Sequence, residues 1–174
     1  MKTYVLAGGC FWCIDAVFRR LQGVESTVCG YTGGTPETAH YYSVATGQTG
    51  HAEAVKVTFD ETILPAGTLL DLFFLIHDPT TLNRQGADVG PQYRSAMFYG
   101  DDIEKSEFEA AAVRAQEHWE NMIVTDLTPL GEFYDGESEH QDYFNNNPTN
   151  GYCSIVIEPK IVKARKAYAR YFKD

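Results

Sequence analysis

The stretch Ala7-Gly8-Gly9-Cys10-Phe11-Trp12-Cys13 joins a glycine turn to a thiol at the first turn of a helix. Upstream, Thr3 to Ala7 is a short β-branched and apolar run that reads as a strand. Downstream, Ile14, Val17, Phe18 and Leu21 fall at i, i+3, i+4 and i+7, the apolar stripe of an amphipathic helix, and Gly23 stands where such a helix stops. Cys10 is therefore placed at a strand-to-helix junction. Unpaired N–H groups and the positive end of the helix dipole favour an anion there, which predicts a thiol more acidic than that of free cysteine.

The 174 residues fit a single domain, 1–174, long enough to bury a core without disulfide or metal staples. Fourteen Lys and Arg against 24 Asp and Glu give a net charge of −10, which argues against a nucleic-acid or anionic-membrane partner. Basic residues collect only between Lys160 and Lys173, opposite Ile161, Ala164, Tyr168 and Phe172, as on a helix with one solvated face. The few residues between Lys2 and the glycines are too short for a signal-peptide apolar region, and no run approaches the ~20 apolar residues of a membrane span. Cysteines at 10, 13, 29 and 153 are too few for a secreted disulfide framework. A reducing cytoplasm with redox-active thiols is the expected setting.

Val24 to Val28 reads as a second strand, followed by a loop rich in glycine that lacks the Lys-Ser/Thr pair of a phosphate cradle. In His51 to Phe59, alternation puts His51, Glu53, Val55, Val57 and Phe59 on one face. Glu53 thus shares an apolar face, where desolvation would keep it protonated near neutral pH; a frayed strand end in water, or pairing with a buried base, is the competing reading. Pro65 to Ile76 reads as a helix apolar on most sides, and Thr80 to Gln92 as an irregular, functional loop containing Asp88. Tyr93 to Tyr99 alternates as a strand, and Asp101, Asp102 and Glu104 open a long helix with Phe108, Ala112, Ala115 and Trp119 inward. Ile123–Thr125 and Gly131–Tyr134 are weaker strands, His140 to Phe144 a short helix, 145–151 a loop, and Ser154 to Ile157 a strand before the basic helix. Strands alternating with helices imply a sheet with helices packed on it in two layers.

Cys10 and Cys13 form a C-x-x-C, which in a cytosolic chain points to dithiol oxidoreductase chemistry. The Phe-Trp between them suits the lining of a pocket better than a docking face. A zinc site would need two more ligands, and the remaining cysteines and histidines show no metal spacing, so no metal is expected.

In chain order, Gly9-Cys10-Phe11-Trp12, Gly30-Tyr31-Thr32-Gly33-Gly34, Gly47-x-Thr49-Gly50-His51-Ala52-Glu53-Ala54-Val55, His77-Asp78-Pro79, Gln92-Tyr93-Arg94-Ser95 and Gly151-Tyr152-Cys153 resemble the A-type peptide methionine sulfoxide reductases. The resemblance implies an α/β (α+β) two-layer sandwich of plait (ferredoxin-like) type, a mixed sheet with helices packed on it and long irregular connections. It implies reduction of the S epimer of methionine sulfoxide, free or in proteins, by a monomer that needs no cofactor. Cys10 would be the nucleophile, Glu53 the acid, Phe11 and Trp12 the holders of the substrate methyl, and Tyr41, Tyr93 and Asp88 further polar site residues. Thiolate attack on sulfur leaves charge on the sulfoxide oxygen, so a protonated carboxyl and tyrosine hydroxyls belong beside it. Oxygen transfer leaves Cys10 as a sulfenic acid, which condenses with a second thiol, and thioredoxin is the reductant the resemblance implies.

The second thiol is where this chain departs from the common pattern, since the family usually has glycine at the position of Cys13 and a small residue at that of Cys29. Cys153 matches the family and is the first choice as resolving residue. Cys13 is its rival, because Cβ atoms three apart on a helix lie roughly 5–6 Å apart and Cys10 stands just outside the first turn. A relay through both is the third possibility; Cys29 reads as structural.

Overall fold

The computed structural model describes residues 1–174. Strand β1 (Lys2–Gly8) leads into α1 (Phe11–Phe18), and β2 (Val24–Thr32) follows the turn at Gly23. Next come α2 (Tyr41–Val44), β3 (Ala52–Phe59) and α3 (Ala66–Leu75). A two-residue hairpin, β4 (Arg84–Gln85) and β5 (Asp88–Val89), precedes β6 (Ser95–Tyr99) and α4 (Asp102–Gln116). The chain continues through β7 (Asp126–Pro129), β8 (Phe133–Asp135), α5 (Tyr143–Asn146) and α6 (Glu158–Ala167).

Six strands form one mixed sheet in the order β7-β6-β1-β3-β2-β8. All neighbours are antiparallel except β6 and β7. Period-2 alternation along β1 sorts its residues. Tyr4 and Leu6 join the main core with Val55, Val57, Phe59 and the inner faces of α1, α3, α4 and α6, while Val5 and Ala7 join a smaller cluster with Ala52, Ala54, Ala96 and Phe98, against which Leu130 and Phe133 pack. The stripe Ile14, Val17, Phe18 and Leu21 is buried as its spacing requires. No helix is long and apolar enough to cross a membrane.

The turn that ends β1 is fixed by packing. Gly9 has φ +92°, and a Cβ there would lie 2.6 Å from Gln85 Cγ, so only glycine satisfies both the backbone and its neighbour. Gln85 is itself locked: it accepts from the Asp78 N–H at 3.0 Å and donates to the Asp78 carbonyl at 2.9 Å. The loop after α3 is thereby held against the residue before Cys10.

Several expectations are corrected. β2 runs on to Thr32, because Gly30, Tyr31 and Thr32 pair with both β3 and β8. The irregular loop contains the β4–β5 hairpin. The inner face of α4 is Phe108, Ala111 and Ala115, and Trp119 lies beyond its end. The largest difference is at Ser154–Ile157, which is helical: Cys153–Ile157 is wound as π-helix and continues directly into α6. Cys153, Ile157, Ile161 and Ala164 are spaced by four, four and three and all are buried, so packing of that stripe overrides the β-branched preference, and Ile155 points outward, 76 % exposed.

Candidate active site

Cys10 is the residue before α1, and its carbonyl accepts from the Cys13 N–H at 3.0 Å. The next free N–H, that of Phe11, donates to Glu53 Oε1 at 3.1 Å. Glu53 reaches it because β3 lies beside β1 in the sheet and the pleat turns its side chain to the core face. At 2 % exposure the carboxyl is desolvated. Burial therefore pushes its pKa up to about 8, against the pull of the Phe11 N–H and with further upward pressure from Asp88 and Cys13. At neutral pH Glu53 carries a proton.

The Cys10 thiol is held well above its ordinary value, first by burial, then by the Cys13 thiol and the nearby Glu53, with only the Trp12 N–H pulling down. This reverses the expectation drawn from the helix end. A dipole contributes roughly 0.3–1 kcal/mol at a helix terminus, whereas burial can move a pKa by several units, and Cys10 is only 8 % exposed. Cys13 moves the other way, lowered by the hydrogen bond from Cys10 and by the charge of Lys160. Of the two thiols, Cys13 ionises more readily.

A pocket of about 160 Å³ opens above Cys10, lined by Phe11, Trp12, Tyr41, Glu53, Asp88, Tyr93 and Tyr152. Every predicted substrate-facing residue is in it. The hydroxyls of Tyr41 and Tyr93 are pushed up by burial and by the charge of Glu53, so both stay protonated and can donate. Asp88, on the β4–β5 hairpin, accepts from the Tyr152 hydroxyl at 2.6 Å, and the same oxygen lies 3.8 Å from Cys13 Sγ.

Cys13 and Cys153 do not line the pocket; both are buried in the main core. Cys153, directly after the 145–151 loop, is 1 % exposed in the helical run that continues into α6. Cys29 is fully buried, and its thiol donates to the Phe11 carbonyl at 3.7 Å, as suits a structural residue. All four cysteines are free thiols.

Tyr152 and a second group of residues escaped the sequence reading. Glu137 accepts from the Tyr31 hydroxyl at 2.8 Å and from the Tyr41 N–H at 2.9 Å. Gln141 clamps the Cys29 backbone at 2.8 and 2.9 Å. Tyr143 stacks on Trp12 at 3.6 Å between ring centres, and His140 accepts from the Trp12 indole N–H at 3.2 Å. The signal available was the run His140-Gln141-Asp142-Tyr143, whose side chains are polar and aromatic yet mostly shielded from water.

The pocket suits a small group with an apolar methyl at one end and an oxygen that accepts hydrogen bonds at the other, set over a thiol that can take the oxygen. Fold and site together define a thiol-dependent reductase of oxidised sulfur. A family model described as peptide methionine sulfoxide reductase matches residues 2–171, and the chain belongs to that family. It is 56 % identical over 171 residues to "Peptide methionine sulfoxide reductase MsrA" of Paenarthrobacter aurescens, covering 98 % of both chains. Among solved structures it is similar to Mxr1 of Saccharomyces cerevisiae in reduced form, with TM-score 0.81, 35 % identity and coverage of 87 % and 88 % of the two chains. Mxr1 in complex with Trx2 matches with TM-score 0.56, 28 % identity and coverage of 82 % and 84 %. The reaction is the reduction of the S epimer of methionine sulfoxide to methionine.

Proposed function

We propose that Cys10 is the nucleophile of this reduction and Glu53 its acid, and that Phe11 and Trp12 hold the substrate methyl. The observation that carries the assignment is that Cys10 and a protonated, buried Glu53 share one pocket of the size of a methyl sulfoxide. Glu53 gives its proton to the sulfoxide oxygen, with Tyr41 and Tyr93 donating to the same atom. The resulting carboxylate takes the Cys10 proton, which answers the raised pKa of that thiol: the thiolate is made only when substrate has protonated. Cys10 sulfur then bonds to the protonated sulfoxide's sulfur. The hydroxyl passes from that sulfur to Cys10 sulfur as the substrate's sulfur–oxygen bond and the new sulfur–sulfur bond break, the electron pair of the latter returns to the substrate sulfur, and methionine leaves. The oxygen stays on Cys10 with a proton, as sulfenic acid. Asp88 anchors the hairpin wall of the pocket through Tyr152.

For resolution, Cys13 stands beside Cys10 and ionises more readily, the property an attacking thiol needs. It condenses with the sulfenic acid, releasing water; Cys153 then attacks Cys13, frees Cys10 and leaves a Cys13–Cys153 disulfide. A thioredoxin reduces that bond, a reading supported by the similarity to the Mxr1 chain in complex with Trx2. The chain acts as one catalytic domain and as a monomer, and its four free thiols suit the cytoplasm. We also infer a plait-type arrangement, supported by the order β6-β1-β3-β2 with α1 and α3 as crossovers.

An assay with the separate sulfoxide epimers and dithiothreitol tests this reading. Turnover of the S epimer alone, without reduction of protein disulfides, is expected; preference for insulin-type disulfides would replace the reading by that of a C-x-x-C oxidoreductase, and turnover by Cys10→Ala would reject the nucleophile. Peptide mapping after one turnover without reductant is expected to find Cys13–Cys153. An undiminished single-turnover rate with a Cys10–Cys153 bond in Cys13→Ser would exclude the relay.

A further inference from the structure

His140 lies on the short turn Ser138–His140, nearly buried, and touches both walls of the pocket. Its Nδ1 accepts the indole N–H of Trp12 at 3.2 Å. Its ring stacks on Tyr41 with centres 4.5 Å apart and planes at 28°, and lies 5.5 Å from the ring of Phe11. Trp12 is therefore held on two sides, by Tyr143 face to face and by His140 at its nitrogen. An indole N–H has only one direction in which to donate, so the acceptor sets the rotation of the ring. An imidazole accepts at Nδ1 only when it is neutral and carries its proton on Nε2.

We propose that His140 is a positioning residue that sets the methyl pocket through Trp12, and that protonating it undoes the pocket. In the cation both nitrogens are donors, so Nδ1–H meets the indole N–H head on. Trp12 must turn or His140 must leave, and either move opens the methyl wall. The charged groups facing His140 are Glu137 and Glu139, on its own segment; the neighbours from the other elements, Phe11, Trp12 and Tyr41, are uncharged near neutral pH. Burial outweighs the two carboxylates and holds the imidazole below its ordinary value, so the neutral form is the working form at pH 7. The sign follows: the pocket is complete above the titration of His140 and is lost as pH falls through it, on the acid side of 6.5.

The inference rests on the reading of Phe11 and Trp12 as the methyl wall, and the test separates the two. In a Trp119→Phe background, whose replaced residue lines a separate groove with Phe74 and Lys163, Trp12 is the sole tryptophan. Its emission, recorded without substrate, is expected to titrate with a midpoint below 6.5 and to lose that step in His140→Gln, which keeps an acceptor but does not titrate. In steady state with free S-sulfoxide, KM is expected to rise about tenfold across the same pH step while kcat changes less than about threefold, and His140→Gln should show a flat KM over that range. His140→Phe, which keeps a ring and lacks the acceptor, is expected to raise KM about tenfold at every pH. An emission step that survives in His140→Gln overturns the proposal, as does an unchanged KM in a folded His140→Phe. An emission step without any KM step would leave His140 and Trp12 coupled and reject Trp12 as the methyl wall. If His140→Phe does not fold, the comparison of wild type with His140→Gln decides alone.

Discussion

Cys10 and Cys153 are both buried thiols, yet the regions that hold them differ in kind. Around Cys10 the frame is mostly long-range: β1 pairs with β3 and β6, Gly9 is packed by Gln85, and Phe11 is tied to Glu53 across 42 positions of chain. Around Cys153 the polar ties are mostly local. Asn150 accepts from the N–H groups of Tyr152 and Cys153 at 2.9 and 3.4 Å, and the turn that follows is π-wound, a form rare beyond single turns inserted in α-helix. The distant ties of this segment are those of Tyr152, to Asp88, Cys13 and the Trp12 ring, and the apolar contacts of Cys153 and Ile157. If Cys153 regenerates Cys10 as proposed, this arrangement keeps the chemistry on the long-range frame and sets the regenerating thiol on a segment whose polar ties are local, the kind that opens first.

The largest effect that would break this comparison is a loss of chemistry from the wrong side. Cys10→Ser is expected to remove turnover by at least about 10³-fold, while Cys153→Ser keeps the first turnover at its normal rate and fails only in thioredoxin-driven cycling. Rapid-quench measurement of the first equivalent of methionine checks it. A slow first turnover in Cys153→Ser would place that thiol in the oxygen-transfer step.

Glu53 comes next in size. Glu53→Ala should lower kcat/KM by about 10²–10³-fold and Glu53→Gln, which can still donate, by about tenfold. In the wild type the rate should fall as pH rises through about 8, where Glu53 gives up its proton, and Glu53→Gln should lack that limb. Stability carries the same signature. Below 4.5, its ordinary pKa, the carboxyl is protonated in both states and costs nothing; between 4.5 and about 8 the unfolded chain releases a proton that the folded one keeps, so stability falls and then levels off. Urea unfolding is expected to find Glu53→Gln roughly 4–5 kcal/mol more stable than wild type at pH 8.5, with little difference at pH 4.5. A constant difference across that range would mean that the carboxyl is not buried in solution.

The two regions also differ in how far the sequence revealed them. The spacing of Ile14, Val17, Phe18 and Leu21 and the alternation around Glu53 report one-sided burial directly, and the structure buries those residues as read. The brace made by Glu137, His140, Gln141 and Tyr143 has no period, because its side chains meet partners set by the fold, Tyr31, Cys29 and, from two sides, Trp12, over a hundred or so positions away. Ser154–Ile157 misled for a related reason: four residues are too few to separate a β-branched strand from the outer face of a helix whose inner face is Cys153 and Ile157. The acidity of Cys10 misled because a helix end is visible in sequence while the depth of its burial is not.

The smallest effect probes the local ties themselves. Tyr152→Phe keeps the ring beside Trp12 and removes the hydroxyl that binds Asp88. A hydrogen bond to a carboxylate contributes about 1.5–3 kcal/mol where both groups are held, less at a part-exposed site such as this one. Hydrogen exchange of amides 150–157 is therefore expected to quicken about fivefold, while the amides of β1 and β3 remain unchanged. Turnover with thioredoxin should change by less than about threefold, upward if release of the Cys153 segment limits the cycle and downward if Asp88 needs its anchor to keep the pocket wall. Loss of protection that spreads into β1 or β3 would show that the segment is part of the rigid core after all, and that Cys153 is no easier to deliver than Cys10.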